Sequence, residues 1–213
     1  MTLSSAPWPK LERDLIAILR GVRPDEVLAI GEVLVAAGID VIEVPLNSPD
    51  PFQSIELLAK KLPSHVLVGA GTVLDANDVQ RLGDAGGRLV ISPNIDPSVL
   101  AAAAKAEMVS MPGVFTPTEA LAALKAGASG LKFFPASVLG PDGIKAISAI
   151  LPKGTIIGAV GGVDENGFAS YAKVGVRTFG LGSSLYKIGA TVGEVGDRAR
   201  ATIAAYDRVF GEV

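Results

Sequence analysis

Two charged side chains stand alone within apolar segments of the sequence. Lys132 is the only charge in Leu131–Pro135, and Glu43 is the only charge in Val41–Pro45. Burial disfavours the ammonium form of a lysine and leaves more of the neutral amine, which is the nucleophile in imine formation. A buried carboxyl group with a raised pKa can donate and accept protons. The pair therefore indicates imine chemistry, with Lys132 forming the imine and Glu43 moving the protons.

Each of these two residues also has a structural interpretation. The stem of Lys132 would pack against the strand while its ammonium group reaches water at the strand end. Glu43 would form a buried ion pair with Arg20 or with Lys132 itself. Both interpretations stay open at this point, and it is the joint occurrence of two isolated opposite charges on different strands that favours catalysis.

Glycine-rich loops follow two further apolar segments. One loop is Gly161–Asp164 and the other is Leu181–Ser184. Glycine lets backbone N–H groups approach a phosphate, and the amino end of a following helix favours an anion. We therefore expect each loop to lead into a helix and the two loops to bind one phosphate. Because turns also require glycine, a purely structural use of either loop is the alternative.

The other polar residues at predicted strand ends suit either substrate binding or local structure. Arg20 could hold a carboxylate or a phosphate, or lie as a simple charge at the rim. Thr72 follows Gly69–Gly71, and its hydroxyl suits a substrate carboxylate or a bond to nearby backbone. His65 is the only histidine and precedes a strand, so we expect it at the opposite, structural face. A histidine-rich metal site is therefore excluded. A site for a hard cation is also disfavoured, because the predicted neighbouring strand ends do not carry a pair of Asp or Glu residues.

The elements that must position these residues follow a repeated pattern. A helix-like stretch ends in glycine, and a continuous apolar run follows, as is typical of buried parallel strands. Eight such units favour one closed (β/α)8 barrel, or TIM barrel, over residues 1–213 rather than an open doubly wound sheet. Residues 1–13 are predicted to form a short N-terminal helix before the first strand. The predicted strands are Leu15–Leu19, Val41–Pro45, Val66–Gly69, Leu89–Ser92, Val109–Met111, Gly130–Phe134, Ile156–Val160 and Thr178–Gly182.

Composition narrows the class of protein. With 49% hydrophobic and 19% charged residues, the chain can bury a large core, which argues against disorder. A net charge of −3 without a basic run argues against a nucleic-acid partner. The absence of cysteine excludes disulfides and thiol nucleophiles. The first residues do not read as a secretory signal, and every apolar run is interrupted before membrane-spanning length. We therefore predict a cytoplasmic protein without a membrane partner.

Motifs spread over nearly the whole chain resemble those of the 2-keto-3-deoxy-6-phosphogluconate and 2-keto-3-deoxy-6-phosphogalactonate aldolase family. Their order and spacing make the match specific. The motifs are Ile16–Arg20 (IAILR), Ile42–Pro49 (IEVPLNSP), Gly69–Val73 (GAGTV), Ser92–Asn94 (SPN), Met111–Gly113 (MPG), Leu131–Pro135 (LKFFP) and Val160–Val163 (VGGV).

The resemblance implies a metal-free class I aldolase, assembled as a homotrimer, that cleaves the sugar acid to pyruvate and D-glyceraldehyde 3-phosphate. It implies that Lys132 forms the Schiff base, without any cofactor, and that Glu43 transfers protons. Thr72 is implied to bind the pyruvate carboxylate. The other implied substrate-binding residues are Arg20, Pro93, Phe134 and Val160. The implied phosphate-binding residues are Gly161, Gly162, Gly182 and Ser183.

Two positions in the sequence resemble the galactonate branch of this family. Gluconate-type enzymes commonly have Thr-Gly-Gly where this chain has Val160–Gly162, and an arginine where it has Asn47. The two substrates differ only in configuration at C4, so the gluconate epimer is an alternative or additional substrate. A phosphosugar epimerase or isomerase would share the phosphate loops without needing an imine-forming lysine. A non-catalytic phosphosugar-binding protein would bind such a ligand without turnover.

Overall fold

Strands and helices alternate along residues 4–211, which the computed structural model describes. The strands are β1 (Leu15–Ile18), β2 (Val41–Pro45), β3 (Leu67–Gly71), β4 (Leu89–Ile91), β5 (Val109–Met111), β6 (Gly113–Val114), β7 (Leu131–Phe133), β8 (Ile157–Val160) and β9 (Thr178–Leu181). The helices are α1 (Pro24–Ala37), α2 (Pro51–Lys61), α3 (Ala76–Asp84), α4 (Pro97–Lys105), α5 (Pro117–Lys125), α6 (Ala136–Ser148), α7 (Phe168–Ala172) and α8 (Val192–Phe210).

The strands form a nearly closed barrel in which every pairing is parallel. Their order around the sheet is β5-β4-β3-β2-β1-β9-β8-β7-β6. Strands β5 and β6 are consecutive in the chain and separated only by Pro112, which has no N–H to donate to a ladder. They occupy one barrel position, because β5 pairs with β4 and β6 pairs with β7. The predicted (β/α)8 barrel is confirmed, and the open doubly wound sheet is not formed.

The predicted strands lie at the observed positions, with differences at their ends. The bounds of β2 and β5 are those predicted from the sequence. The third strand continues to Gly71, two residues beyond its predicted end, because its pairing with β2 extends to Pro45 and Gly71. The fifth barrel position continues past Met111 as β6, since Gly113 and Val114 pair with the strand that carries Lys132.

Four of the helices, α3, α4, α5 and α8, begin after a residue whose side chain caps the first turn. In α4, the Asp96 carboxylate accepts hydrogen bonds from the N–H groups of Ser98 and Val99, and Pro97 occupies the first turn, where no N–H is required. Thr116 and Glu119 form a reciprocal capping box at α5. Among residues 4–211, no helix is both long and apolar enough to cross a membrane.

The segment before β1 contains no helix, so the predicted N-terminal helix is wrong for residues 4–13; residues 1–3 lie outside the described part of the chain. Ala6 forms a parallel bridge with Val109, and the Ser5 N–H donates to the Gly127 carbonyl at 2.9 Å. Pro7 and Pro9 disfavour a helix here, because proline lacks the N–H that a helix interior needs. The segment instead covers the amino end of the barrel, where Ala6, Trp8 and Leu11 pack against apolar side chains of the barrel interior.

Two apolar clusters flank the strands. The larger one lies between the sheet and the surrounding helices. The smaller one fills the amino end of the barrel interior, and its buried members are Ile16, Val41, Leu67, Leu89, Ile91, Val109 and Met111. Side chains alternate between these two faces along each strand. Along β2, this period places Glu43 on the same inward face as Val41, nearer the carboxyl end of the barrel.

Candidate active site

A cavity of about 410 Å³ opens at the carboxyl ends of the strands. This is the end of a (β/α)8 barrel where active sites are found. All eleven residues singled out in the sequence contribute to its lining, together with Ile18, Val163 and Gly180, which were missed. Ile18 is the inward neighbour of Glu43 in the next strand, and Gly180 is the neighbour of Val160. The inward period of two along β1 and β9 is the signal that could have identified them.

Lys132 lies on β7 with glycines at both in-register positions, Gly113 on one side and Gly158 on the other. Its side chain is buried, and Nζ lies 4.8 Å from the centroid of the Phe134 ring. Burial lowers the pKa of Lys132 below its ordinary value, and the positive charge of Arg20 acts in the same direction. The Glu43 carboxylate opposes both effects. Lys132 therefore carries more neutral amine near pH 7 than an exposed lysine does.

Glu43 is buried on β2, with only 2% of its surface exposed. Burial raises its pKa to about 7, although the charges of Lys132 and Arg20 favour the ionised form. Its Oε2 atom is inaccessible and has no hydrogen-bond partner among the described residues. No ion pair within 4.0 Å joins Glu43 to Lys132 or Arg20 in residues 4–211. Glu43 therefore does not form the buried structural ion pair with Lys132 or Arg20 that is its alternative interpretation.

Gly71 lies directly against the Glu43 carboxyl group. A Cβ atom built on Gly71 would coincide with the space that Oε2 occupies. The absence of a side chain at the end of β3 is therefore what allows the carboxyl group to fit there. Sequence reasoning used Gly71 only as part of the turn before Thr72, and strand registry was needed to place it beside Glu43.

Arg20 and Thr72 meet at the rim of the cavity. The Arg20 guanidinium donates from Nη1 to Asn47 Oδ1 at 2.6 Å and from Nη2 to Thr72 Oγ1 at 3.4 Å. Thr72 has a φ of 56°, in the left-handed region that a β-branched residue seldom adopts. Such conformations are held by the surrounding structure and cluster at functional sites. Asn47 had been noted in the sequence only as a mark of the family branch.

The two glycine-rich loops lie together at the other side of the cavity. Gly161 and Gly162 have φ values of 91° and 71°, and a Cβ on Gly162 would meet the Ser137 side chain. The N–H groups of Gly162, Gly182 and Ser183 donate no hydrogen bond to any described residue. Free N–H groups at glycine-rich turns are suitable donors for an anion.

Each loop is predicted from the sequence to lead into a helix, and in the structure a turn separates each loop from the helix that follows. After Gly162 the chain makes a turn before the five-residue α7 begins at Phe168. After Ser183 it makes a turn closed by hydrogen bonds from the Leu185 and Tyr186 N–H groups to the Gly182 carbonyl, and α8 begins only at Val192. Gly182 therefore organises a local turn, and any anion at this site would contact turn N–H groups and not a helix end.

His65 lies at the amino end of the barrel, as expected, where its Nε2 is 3.6 Å from the Asp40 carboxylate. Within residues 4–211, no group of three or more His, Cys, Asp or Glu side chains is arranged to hold a metal ion.

Comparison with known proteins gives a family match over most of the chain. The family described as KDPG and KHG aldolase matches residues 10–200. A probable 2-dehydro-3-deoxy-6-phosphogalactonate aldolase of Rhizobium meliloti (strain 1021) is 61% identical over 205 residues, which are 96% of this chain and 97% of that protein.

Solved structures agree with this match. The native KDPGal structure has a TM-score of 0.93 and 42% identity, and the match covers 95% of this chain and 98% of that one. The KDPG aldolase of Legionella pneumophila, captured with pyruvate as a covalent carbinolamine, has a TM-score of 0.82 and 29% identity, covering 90% and 95% of the two chains. Together with the matched residues, these similarities show that this chain belongs to the KDPG and KHG aldolase family.

Proposed function

We propose that this protein is a class I aldolase that reversibly cleaves 2-dehydro-3-deoxy-6-phospho-D-galactonate to pyruvate and D-glyceraldehyde 3-phosphate. The observation that carries this proposal is the pair of Lys132 and Glu43 in one cavity. Burial lowers the pKa of the amine and raises that of the carboxyl group to about 7, so both groups have useful protonation states near neutral pH.

Lys132 begins the reaction by attacking the C2 ketone of the sugar acid. The resulting carbinolamine loses water and becomes an iminium ion, whose positive nitrogen accepts electrons from the bond to be broken. The carbinolamine captured with pyruvate in the Legionella pneumophila relative is an intermediate of this kind. Because the iminium is itself the electron acceptor, the scheme requires no metal ion, and we expect activity to survive dialysis against a chelator.

Glu43 then accepts the proton of the C4 hydroxyl group, directly or through one water molecule. The C3–C4 bond breaks, its electrons form the enamine, and glyceraldehyde 3-phosphate leaves. Glu43 returns a proton to C3, and water hydrolyses the imine to release pyruvate and the free amine of Lys132. A carboxyl group whose pKa lies near 7 suits this alternation between base and acid.

The rest of the cavity supplies binding energy and orientation. We assign the substrate carboxylate to Thr72 and Arg20, and the phosphate to the free N–H groups of the loops at Gly162 and Ser183, with Gly161 and Gly182 in those loops shaping the turn. Pro93, Phe134 and Val160 line the wall between these two ends. Contacts to the remote phosphate can hold the C3–C4 bond in position for cleavage.

Two observations support the galactonate epimer as the substrate. The Rhizobium meliloti relative is named for that substrate, and this chain has Val160 and Asn47, which resemble the galactonate branch. The competing proposal is that the gluconate epimer is cleaved as well or better. Values of kcat/KM for the two C4 epimers, measured in parallel, decide between them. The homotrimer, the single-domain organisation over residues 1–213 and the cytoplasmic location stay predictions, of which sedimentation analysis tests the first.

Borohydride trapping with pyruvate, followed by peptide mass spectrometry, tests the mechanism. We expect a reduced pyruvate adduct on Lys132 that is absent in Lys132→Ala. It should persist in Lys145→Ala, a matched change of an exposed lysine on α6. An adduct on another lysine would overturn the assignment to Lys132. Turnover or phosphosugar binding without any adduct would favour an isomerase or a non-catalytic binding protein.

A further inference from the structure

The loop after β2 holds the loop after β1 through two neighbouring hydrogen bonds. The buried Ser48 hydroxyl accepts from the Gly21 N–H at 2.9 Å, and Asn47 Oδ1 accepts from Arg20 Nη1 at 2.6 Å. On its other side, the Arg20 guanidinium donates to the Thr72 hydroxyl. The two terminal nitrogens of the exposed Arg20 guanidinium are thus bonded to groups from two other loops. These bonds orient the plane of the guanidinium at the rim of the cavity.

Both groups that hold Arg20 are uncharged. Other arginines of the described chain lie beside carboxylates, as Arg13 does with Asp207 and Arg81 with Asp78. Within residues 4–211, no carboxylate comes within 4.0 Å of the Arg20 guanidinium. An amide accepts a hydrogen bond without cancelling the charge of its donor, so Arg20 keeps a full positive charge facing the cavity.

The charge of Arg20 reaches both reactive groups. It opposes protonation of Lys132 and favours ionisation of Glu43. A guanidinium has five N–H donors, and the two described bonds use only two of them. The remaining donors are available to a ligand carboxylate or phosphate, which guanidinium groups bind in charge-assisted hydrogen bonds.

We infer that Asn47 is a positioning residue, which orients Arg20 toward an anionic substrate and, being neutral, leaves the arginine charge uncompensated. The inference rests on the proposed function for the identity of the substrate. Aspartate has nearly the same shape as asparagine but would form an ion pair with Arg20. Position 47 therefore sets how strongly the cavity prefers a doubly anionic ligand.

Asn47→Asp tests this inference, with Asn94→Asp as the matched control. Asn94 is exposed beyond β4 at the same end of the barrel and makes no hydrogen bond to Arg20. The probe is 6-phosphogalactonate, which has both anionic groups and the C4 configuration of the proposed substrate but no ketone, and so binds without forming an imine. We expect calorimetry to show roughly tenfold weaker binding to Asn47→Asp, the effect of losing one charged hydrogen bond. Binding to Asn94→Asp should change less than about twofold, because Asn94 forms no hydrogen bond with Arg20 in the described chain and a charge that is not in direct contact is screened by salt.

A double-mutant cycle separates contact with Arg20 from a general effect of added charge. In an Arg20→Gln background, Asn47→Asp should change the dissociation constant less than about twofold, because the charge it would cancel is gone. In turnover assays, Asn47→Asp should raise KM while kcat stays within about threefold. Unchanged binding in Asn47→Asp, or an equal loss in the Arg20→Gln background, would overturn the inference. Because the probe does not react, this result stands apart from whether the enzyme cleaves its proposed substrate.

Discussion

At the amino end of the barrel three serine hydroxyl groups form hydrogen bonds with one another or with the backbone, whereas at the carboxyl end two buried charged side chains face an open cavity. The Ser5 and Ser110 hydroxyl groups lie 2.6 Å apart, and Ser129 accepts from the Ser110 N–H while donating to the Ala6 carbonyl. At the other end, the Glu43 Oε2 atom has no partner among the described residues. The serines at the amino end thus satisfy one another and nearby backbone groups, whereas a carboxylate oxygen at the carboxyl end does not have a partner among residues 4–211.

The difference indicates which end stabilises the fold and which end is available for chemistry. An apolar layer around Ile16, Leu89 and Met111 fills the amino end, and burying each such side chain contributes about 1.5–3 kcal/mol. Burying Glu43 and Lys132 without direct pairing costs stability and shifts their pKa values. Changes at the cavity should therefore affect activity far more than folding, and changes at the opposite end should do the reverse.

The largest expected effect is that of Lys132→Ala. Activity should fall by at least roughly 10³-fold, because among residues 4–211 no other lysine lines this cavity. The free energy of unfolding should stay equal or rise, since a poorly solvated amine is removed from the cavity wall. Steady-state rates and urea unfolding measure the two quantities. A large loss of stability in this variant would contradict the division between the two ends.

Glu43→Gln should lower kcat by about 10²- to 10⁴-fold, the usual contribution of a general acid and base. Lys132 remains present, so borohydride should still trap pyruvate in this variant. Glu32→Gln on the exposed face of α1 is the matched control and should keep full activity. Equal kcat values for Glu43→Gln and the wild type would show that Glu43 does not transfer the protons.

The pH dependence of stability should also report Glu43. Its pKa is raised from 4.5 to about 7 in the folded protein, so the folded state holds the proton more tightly than the unfolded chain. Proton binding by Glu43 therefore stabilises the folded state by roughly 3 kcal/mol at most. This stabilisation is fully present below pH 4.5 and is lost as the pH rises through 7. Urea unfolding at several pH values should show this fall in the wild type. A fall of the same size in Glu43→Gln would show that other groups cause it.

The smallest effect is expected at the amino end. Ser129→Ala removes the acceptor for the buried Ser110 N–H and the donor to the Ala6 carbonyl. The free energy of unfolding should fall by about 1–3 kcal/mol, the cost of an unpaired buried group, while kcat and KM keep their wild-type values. A fall in kcat with unchanged stability would show that this end of the barrel does influence the cavity.

Much of the barrel and of its chemistry could be predicted from local sequence patterns. Continuous apolar runs after helix-ending glycines located the strands, because buried parallel strands need no polar face. Lys132 and Glu43 were recognisable because a lone charge in such a run must be paired or reactive. Once the strands were placed, the carboxyl-end rule brought distant residues such as Arg20 and Ser183 into one cavity.

Features that depend on contacts between distant segments could not be predicted in the same way. The path of the segment before β1 depends on the bridge from Ala6 to Val109, which lies about a hundred residues further along the chain. The hydrogen bond from Arg20 to Asn47 requires the relative orientation of two loops. Gly182 is followed by a turn, but a glycine is also common beside the end of a helix. The residue type alone therefore did not distinguish a turn from a helix start at this loop.

The fit of Gly71 against the Glu43 carboxyl group has a practical consequence for engineering this cavity. A mutant library that varies the lining to accept new aldehydes should keep position 71 fixed as glycine. Any larger residue there would displace the carboxyl group, and the resulting variants would lose proton transfer whatever they gained in acceptor range. Screening effort is then better directed to Val160 and Ile18, whose apolar side chains line the same cavity.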